Sequence, residues 1–197
     1  MPTIIRNNYT KLISNNLPNI LKTYNIKGFV LSNIGNFELL KQYQSKYDFI
    51  CNYTFNVFNS LTINELTCDT VTLSPELNDT DLSNILSFDQ DTNSISKKEL
   101  IVYGRIPLMN SNYCLLGKTN KCYPSCTHQC NSSNKFYLKD RLGFLFRIIP
   151  DNVETVTTIY NNRFTSIPYK NINVDSVRFD ILDETIEEIN SIINKLS

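Results

Sequence analysis

The sequence predicts an α/β fold built around a parallel sheet, on three observations. Short runs rich in Ile, Val, Phe and Thr alternate with stretches of helical periodicity, which is the mark of βαβ units. The first four runs begin just over twenty residues apart, close to the least that a strand, a helix and two turns occupy. Most of the runs are almost continuously apolar, as in strands covered on both faces.

The expected strands are Pro2 to Arg6, Lys27 to Asn33, Asp48 to Phe55, Asp69 to Ser74, Leu100 to Ile106 and Ser176 to Ile181. Three helices are legible between or after them. Asn36 to Lys46 carries Phe37, Leu39, Leu40 and Tyr43, and Asn78 to Leu86 opens on the capping residues Asn78 and Thr80. Asp183 to Leu196 places Ile186, Ile189, Ile193 and Leu196 at helical spacing, with acids at its start and Lys195 at its end. That stripe is expected to pack on the sheet. Phe136 to Asp140 and Phe144 to Ile149, joined by Arg141-Leu142-Gly143, read as a β-hairpin, and Thr155 to Tyr160 as a further short strand. About six main strands fall short of the eight, over about 250 residues, of a complete (β/α)₈ ring. The expected fold is a TIM-like (β/α) barrel that is incomplete, one domain over residues 1–197, with a cysteine-rich loop and hairpin insertion over 110–150. An open parallel sheet leaves unpaired edges, so the expectation is that a missing N-terminal half completes the barrel, that a partner chain supplies the missing strands, or that the edges are covered in some other way.

With 197 residues, 41% of them hydrophobic, the chain has the apolar content of a globular domain rather than of a disordered tail. Alanine and tryptophan are absent while asparagine occupies 27 positions, a bias that points to an A/T-rich coding sequence and to no mechanism. No apolar run approaches the roughly 18 to 20 residues of a membrane span, and the first residues do not resemble a signal sequence, so a soluble cytoplasmic protein without membrane contact is expected. Strands followed by Gly-x-Gly-x-x-Gly or by a phosphate loop are absent, as are Gly-x-Ser-x-Gly and His-Glu-x-x-His. Dinucleotide, serine-hydrolase and zinc-peptidase chemistry therefore lose their usual support.

Chemistry concentrates in the cysteines. Cys51 and Cys68 each adjoin an apolar run, where a free cysteine behaves as a small hydrophobe. Cys114, Cys122, Cys126 and Cys130 fall within 17 residues, in a segment with little apolar periodicity. Four thiolates from one excursion match the ligand count of a [4Fe–4S] cluster, with structural zinc as the alternative. From Gly104 to Arg147 the basic residues Arg105, Lys118, Lys121, Lys135, Lys139, Arg141 and Arg147 face a single acid, Asp140, a local charge of +6 in a chain of net zero. Such a patch either balances the thiolates or attracts an anionic substrate. Arg105, Asp140 and Arg141 are the candidate catalytic residues. His128, the one histidine, lies between Cys126 and Cys130, and a Cys–His nucleophile built on it is the lesser reading. Tyr103, Tyr113, Tyr123 and Phe136 are aromatic candidates for base stacking, with core or hairpin packing as the commoner use. Glu76 and Glu99 are acidic candidates for hydrolysis, with pairing to Arg or Lys as the commoner use.

The stretch from Glu99 through Gly104-Arg105-Ile106-Pro107 to Cys114 resembles the signature of the collagenase-like peptidase family, peptidase family U number thirty-two. Glu99, Gly104 and Cys114 match in type and spacing. Ile101 stands in place of the signature Phe, Pro107 in place of its first Cys and Asn112 in place of its Gly. Leu73-Ser74-Pro75-Glu76-Leu77, Tyr137-Leu138-Lys139-Asp140-Arg141 and Val177-Arg178-Phe179-Asp180 extend the resemblance over most of the chain from Lys27, toward the clostridial branch. It implies the later strands of a TIM-like barrel. Some members are named as proteases or collagenases, and others are iron–sulfur proteins for oxygen-independent hydroxylation of RNA bases or a quinone precursor. Cys114 aligns with a cluster ligand of the latter, and with Pro107 at another ligand position, Cys122, Cys126 and Cys130 would supply the rest. The resemblance implies an iron–sulfur enzyme acting on RNA or another anionic substrate. The alternatives are a protease, or a non-catalytic subunit that completes a partner's barrel.

Overall fold

Helix α1 (Asn7–Thr23) precedes a strand-and-helix alternation in a computed structural model that describes residues 1–91, 96–119, 122, 126–131 and 134–197. The alternation runs β1 (Gly28–Leu31), α2 (Gly35–Leu40), β2 (Asp48–Cys51), α3 (Ser60–Glu65), β3 (Thr70–Thr72), α4 (Asp79–Asp91) and β4 (Lys97–Gly104). Then come β5 (Pro107–Ser111), the short α5 (Leu116–Thr119), β6 (Phe136–Lys139), β7 (Leu145–Asp151), β8 (Val156–Tyr160) and β9 (Thr165–Ser166), followed by β10 (Ser176–Asp180) and α6 (Ile186–Leu196).

The parallel strands lie in the order β1-β2-β3-β4-β10 and form a curled half-barrel, with β9 antiparallel on β4. Five of the six expected strands are therefore present. Register follows the chain, Gly28 opposite Asp48 and Thr72 opposite Glu99, until β10 returns to place Ser176 beside Glu99. Apolar side chains fill one face. Phe29, Leu31, Leu40 and Phe49 pack with Leu17 of α1, and Cys51, Val57, Ile63, Val71, Leu73 and Ile85 form a neighbouring cluster. Coverage of both faces holds along β4, where Leu100 to Gly104 are all buried, but fails at β1, where Val30 turns outward toward a cleft.

Three expectations are corrected. Pro2 to Arg6 is not a strand, because side chains rather than a ladder hold its backbone: Ser32 Oγ donates to Met1 O and Asn33 Nδ2 to Thr3 O. It leads into α1, whose first N–H groups are satisfied by the buried carboxylate of Glu154, which accepts from Arg6 N and Tyr9 N at 3.1 and 2.8 Å. Cys51 and Cys68 are buried in the core as expected, but they are bonded to each other, not free. The C-terminal helix begins after Thr185, where a capping box links Thr185 and Glu188, and it turns Ile189, Ile192 and Leu196 inward while Ile186 stays exposed.

Beyond β4 the chain changes sheet. Gly104 adopts φ +139°, and a Cβ there would lie 2.6 Å from Asp180 O, so both conformation and close approach require glycine. The antiparallel sheet that follows has the order β5-β8-β7-β6. Its β6–β7 pair is the expected hairpin, with Phe136 opposite Ile148 and Gly143 at φ +91°.

Candidate functional site: a thiol cavity and a strand-end cleft

Cys114 follows β5, Cys122 follows α5, and Cys126 and Cys130 precede β6, so they arrive from successive parts of the excursion. All four nevertheless line one cavity of about 460 Å³, together with Tyr113, Leu116, Pro150, Asn152 and Thr155. All four are free thiols. Among the described residues no group of three or more His, Cys, Asp or Glu side chains is gathered at metal-binding distances. The donor set fits a soft metal by its chemistry, since four sulfurs face a common space with apolar walls.

Local contacts differentiate the thiols. Cys122 Sγ lies 3.0 Å from Thr127 Oγ1, and the hydrogen bond from that hydroxyl lowers the Cys122 pKa below its ordinary value. Burial pushes the Cys130 pKa up, and the neighbouring thiols of Cys126, Cys114 and Cys122 add to the rise. His128 Nδ1 stands 3.8 Å from Cys126 Sγ and 3.2 Å from Asn152 Nδ2, so Asn152 anchors the imidazole to the β7–β8 turn. His128 and Thr155 both have positive φ, at 54° and 57°. For a β-branched residue such as Thr155 this stores about 1–3 kcal/mol of strain, at the rim of the cavity.

The remaining candidates are scattered. Arg105 follows β4, and its Nη1 donates to Asn161 O and Asn162 O of the β8–β9 connection while its guanidinium stacks 3.8 Å over Phe164. Asp140 is a turn residue: its Oδ1 accepts from Leu142 N and Phe144 N at the hairpin tip, with Arg141 beside it and both away from the cavity. Lys135 and Arg147 are tied to Asp183. Lys121, Tyr123 and the side chain of Lys118 lie outside the described residues. Tyr103 is buried, stacked on Phe164 and hydrogen-bonded to Glu184; Tyr113 is half exposed on the thiol cavity; Phe136 is half-buried in the hairpin. Glu99 pairs with Arg178 at 3.2 Å, and Glu76 borders a second opening.

That opening shares Tyr53, Pro107 and Tyr160 with a separate cleft at the carboxyl ends of the parallel strands, the position where α/β sheets bind ligands. This cleft, of about 620 Å³, is lined by Ser32, Asn52, Tyr53, Arg105, Tyr160, Arg178 and Asp180, among others. Arg178 anchors its floor, donating to Glu99 Oε1, Asn52 Oδ1 and Asp180 Oδ2, while Thr72 Oγ1 donates to the same Glu99 oxygen at 2.8 Å. The thiol cavity and the cleft sit at opposite ends of the β5–β8 ladder. Pro107 and Tyr160 pair at the cleft, whereas Tyr113 and Thr155 line the cavity, about 17 Å away along β8. Tyr53, Tyr160 and Asn52 carried no sequence signal, because only strand order brings them together.

No family model, curated protein or solved structure matches the chain.

Proposed function

We propose that this chain is an iron–sulfur member of the collagenase-like peptidase family, acting in the cytoplasm in the hydroxylation of RNA or another anionic substrate. One observation carries the reading: Cys114, Cys122, Cys126 and Cys130, all free, line a single cavity. These four residues would hold a [4Fe–4S] cluster, or zinc in the alternative, and the cluster when bound supplies one-electron chemistry.

The chain's own groups do the rest. Thr127 holds Cys122 toward the thiolate, the form that binds metal. Leu116 and Pro150 line the cavity beside the thiols, and Asn152 fixes the imidazole of His128. Arg105 faces the cleft where an anionic substrate enters. Asp140 and Arg141, held at the hairpin tip, are better placed to meet substrate outside the cleft than to take part in a reaction within it.

The five-stranded half-barrel favours a second reading, in which a partner chain or a preceding half completes the ring and this chain contributes one wall. Anaerobic purification with iron and sulfide quantification and an absorption spectrum tests the first reading. It predicts a brown protein with about four irons per chain. A colourless protein free of iron after reconstitution rejects the cluster, and bound zinc in its place selects the alternative metal. Peptide cleavage that persists with all four clustered cysteines changed to serine would instead support a peptidase.

A further inference from the structure

The half-barrel ends on two edges of opposite charge. β1 pairs only with β2 and β10 only with β4, so each keeps one side unpaired among the described residues. From Met1 to the end of β1 there are four bases, Arg6, Lys11, Lys22 and Lys27, and no acid, a formal side-chain charge of +4. From the start of β10 to Ser197 there are five acids, Asp180, Asp183, Glu184, Glu187 and Glu188, against Arg178 and Lys195, a charge of −3. Lys11, Lys22, Lys27 and Glu187 make no ion pair among the described residues. The helices beside these edges are also thinly covered. Of the 17 residues of α1 only Leu17 is buried, and Leu12 and Ile20 are 46% and 38% exposed. Of the 11 residues of α6 only Leu196 is buried, and Ile186 and Ile193, on one face of the helix, are 74% and 37% exposed. Helices owe most of their stability to a packed face, so open stripes at both ends of the sheet call for cover.

We propose that a second copy of this chain completes the ring, α1 of each copy packing on α6 of the other about a two-fold axis. The charge pattern selects this partner. The basic edge of one copy meets the acidic edge of the other, twice, and complementarity between a chain's own two edges is a requirement of self-association alone. Direction agrees with charge. Leu17 of α1 packs with Phe29 of β1 across a short connection, and Tyr169 N, ahead of β10, donates to Leu196 O at the end of α6, so each helix runs antiparallel to its strand. Two copies set edge to edge with their strands parallel therefore bring the helices together in the same direction, Leu12 toward the Ile186 end and Ile20 toward the Ile193 end. The Met1 amine already takes Val30 O at 2.7 Å, so helices rather than an extended strand ladder make the contact. The inference rests on the half-barrel reading of the function and names its partner.

The test is sedimentation of the full chain over a concentration series at low and at high salt. A dimer is expected, weakened about tenfold by high salt because charge draws the edges together. Leu12→Glu and Ile186→Lys alter exposed side chains, so each variant should keep the circular dichroism of the wild type. Each variant sets like charge against like at both contacts, and should weaken the dimer about a hundredfold. Mixed in equal amounts, the two variants should pair again, since one contact then joins the introduced acid to the introduced base and the other is unaltered. A monomer at every concentration, a dimer that both variants leave intact, or variants that do not pair when mixed overturns the proposal. In a monomer, rapid amide exchange along β1 and β10 leaves the half-barrel open to a different chain or a preceding half, whereas slow exchange there removes the half-barrel reading as well.

Discussion

Arg147 Nε donates to Asp183 Oδ2 at 2.7 Å, joining β7 of the cysteine-bearing sheet to the start of α6 on the half-barrel. Arg147 Nη1 also donates to Phe136 O and Ile148 O, so the pair fastens the hairpin's base rather than bridging two free side chains.

Burial alone would raise the Asp183 pKa, but Arg147 and Lys135 outweigh it and hold the group below its ordinary 3.8. A carboxylate whose folded pKa is depressed contributes stability that is present above its unfolded pKa and is lost as pH falls through the folded one. Asp183→Asn is expected to destabilise the fold by about 1–3 kcal/mol at neutral pH. It should lose little more than that below pH 3.8, so the melting temperatures of variant and wild type converge in acid. A constant gap between the two melting temperatures at every pH would show that the charge of Asp183 contributes nothing, and coincident values that the pair contributes nothing.

Gly104→Ala is expected to cost at least about 2 kcal/mol, from a left-handed φ and a clash with Asp180 O. Gly117, where nothing lies within 4 Å of an added Cβ, is the control: Gly117→Ala should leave the melting temperature unchanged or raised. Denaturant unfolding of the two variants checks the contrast.

The Cys51–Cys68 bond closes a loop of 17 residues, for which chain entropy gives about 3 kcal/mol of stabilisation. Reduction, or Cys68→Ser, should lower the unfolding midpoint accordingly, and peptide mapping without reductant should recover the two cysteines as one linked species. Unlinked peptides from protein prepared without reductant would remove the bond from the fold.

Thr127 lowers the Cys122 pKa while burial raises that of Cys130. In metal-free protein, iodoacetamide should therefore modify Cys122 at lower pH than Cys130. Thr127→Val should move the Cys122 profile upward. Mass spectrometry of alkylated peptides across a pH series reads both, and coincident profiles would contradict the contacts.

Much was legible because it depends on neighbours in the chain. The Arg141-Leu142-Gly143 break between two apolar runs located the hairpin, and apolar runs located β1, β2, β3, β4 and β10. Helix α1 was not read, because its start is completed by Glu154, distant in sequence. β5 was missed because its exposed Leu108 and Met109 give no alternation of buried and open faces. The type and number of the clustered cysteines came from sequence, but their shared cavity did not.

By itself the sequence determined the α/β alternation, the hairpin and the supply of four thiols, since periodicity, turn residues and ligand types are local properties. Tertiary structure alone decided that Cys51 bonds Cys68, that Arg178 binds Glu99 and Asp180, and that Tyr53 meets Tyr160 over a cleft. Each of these depends on which strands pair and in what register, and a parallel sheet joins residues from separate βα units at one end.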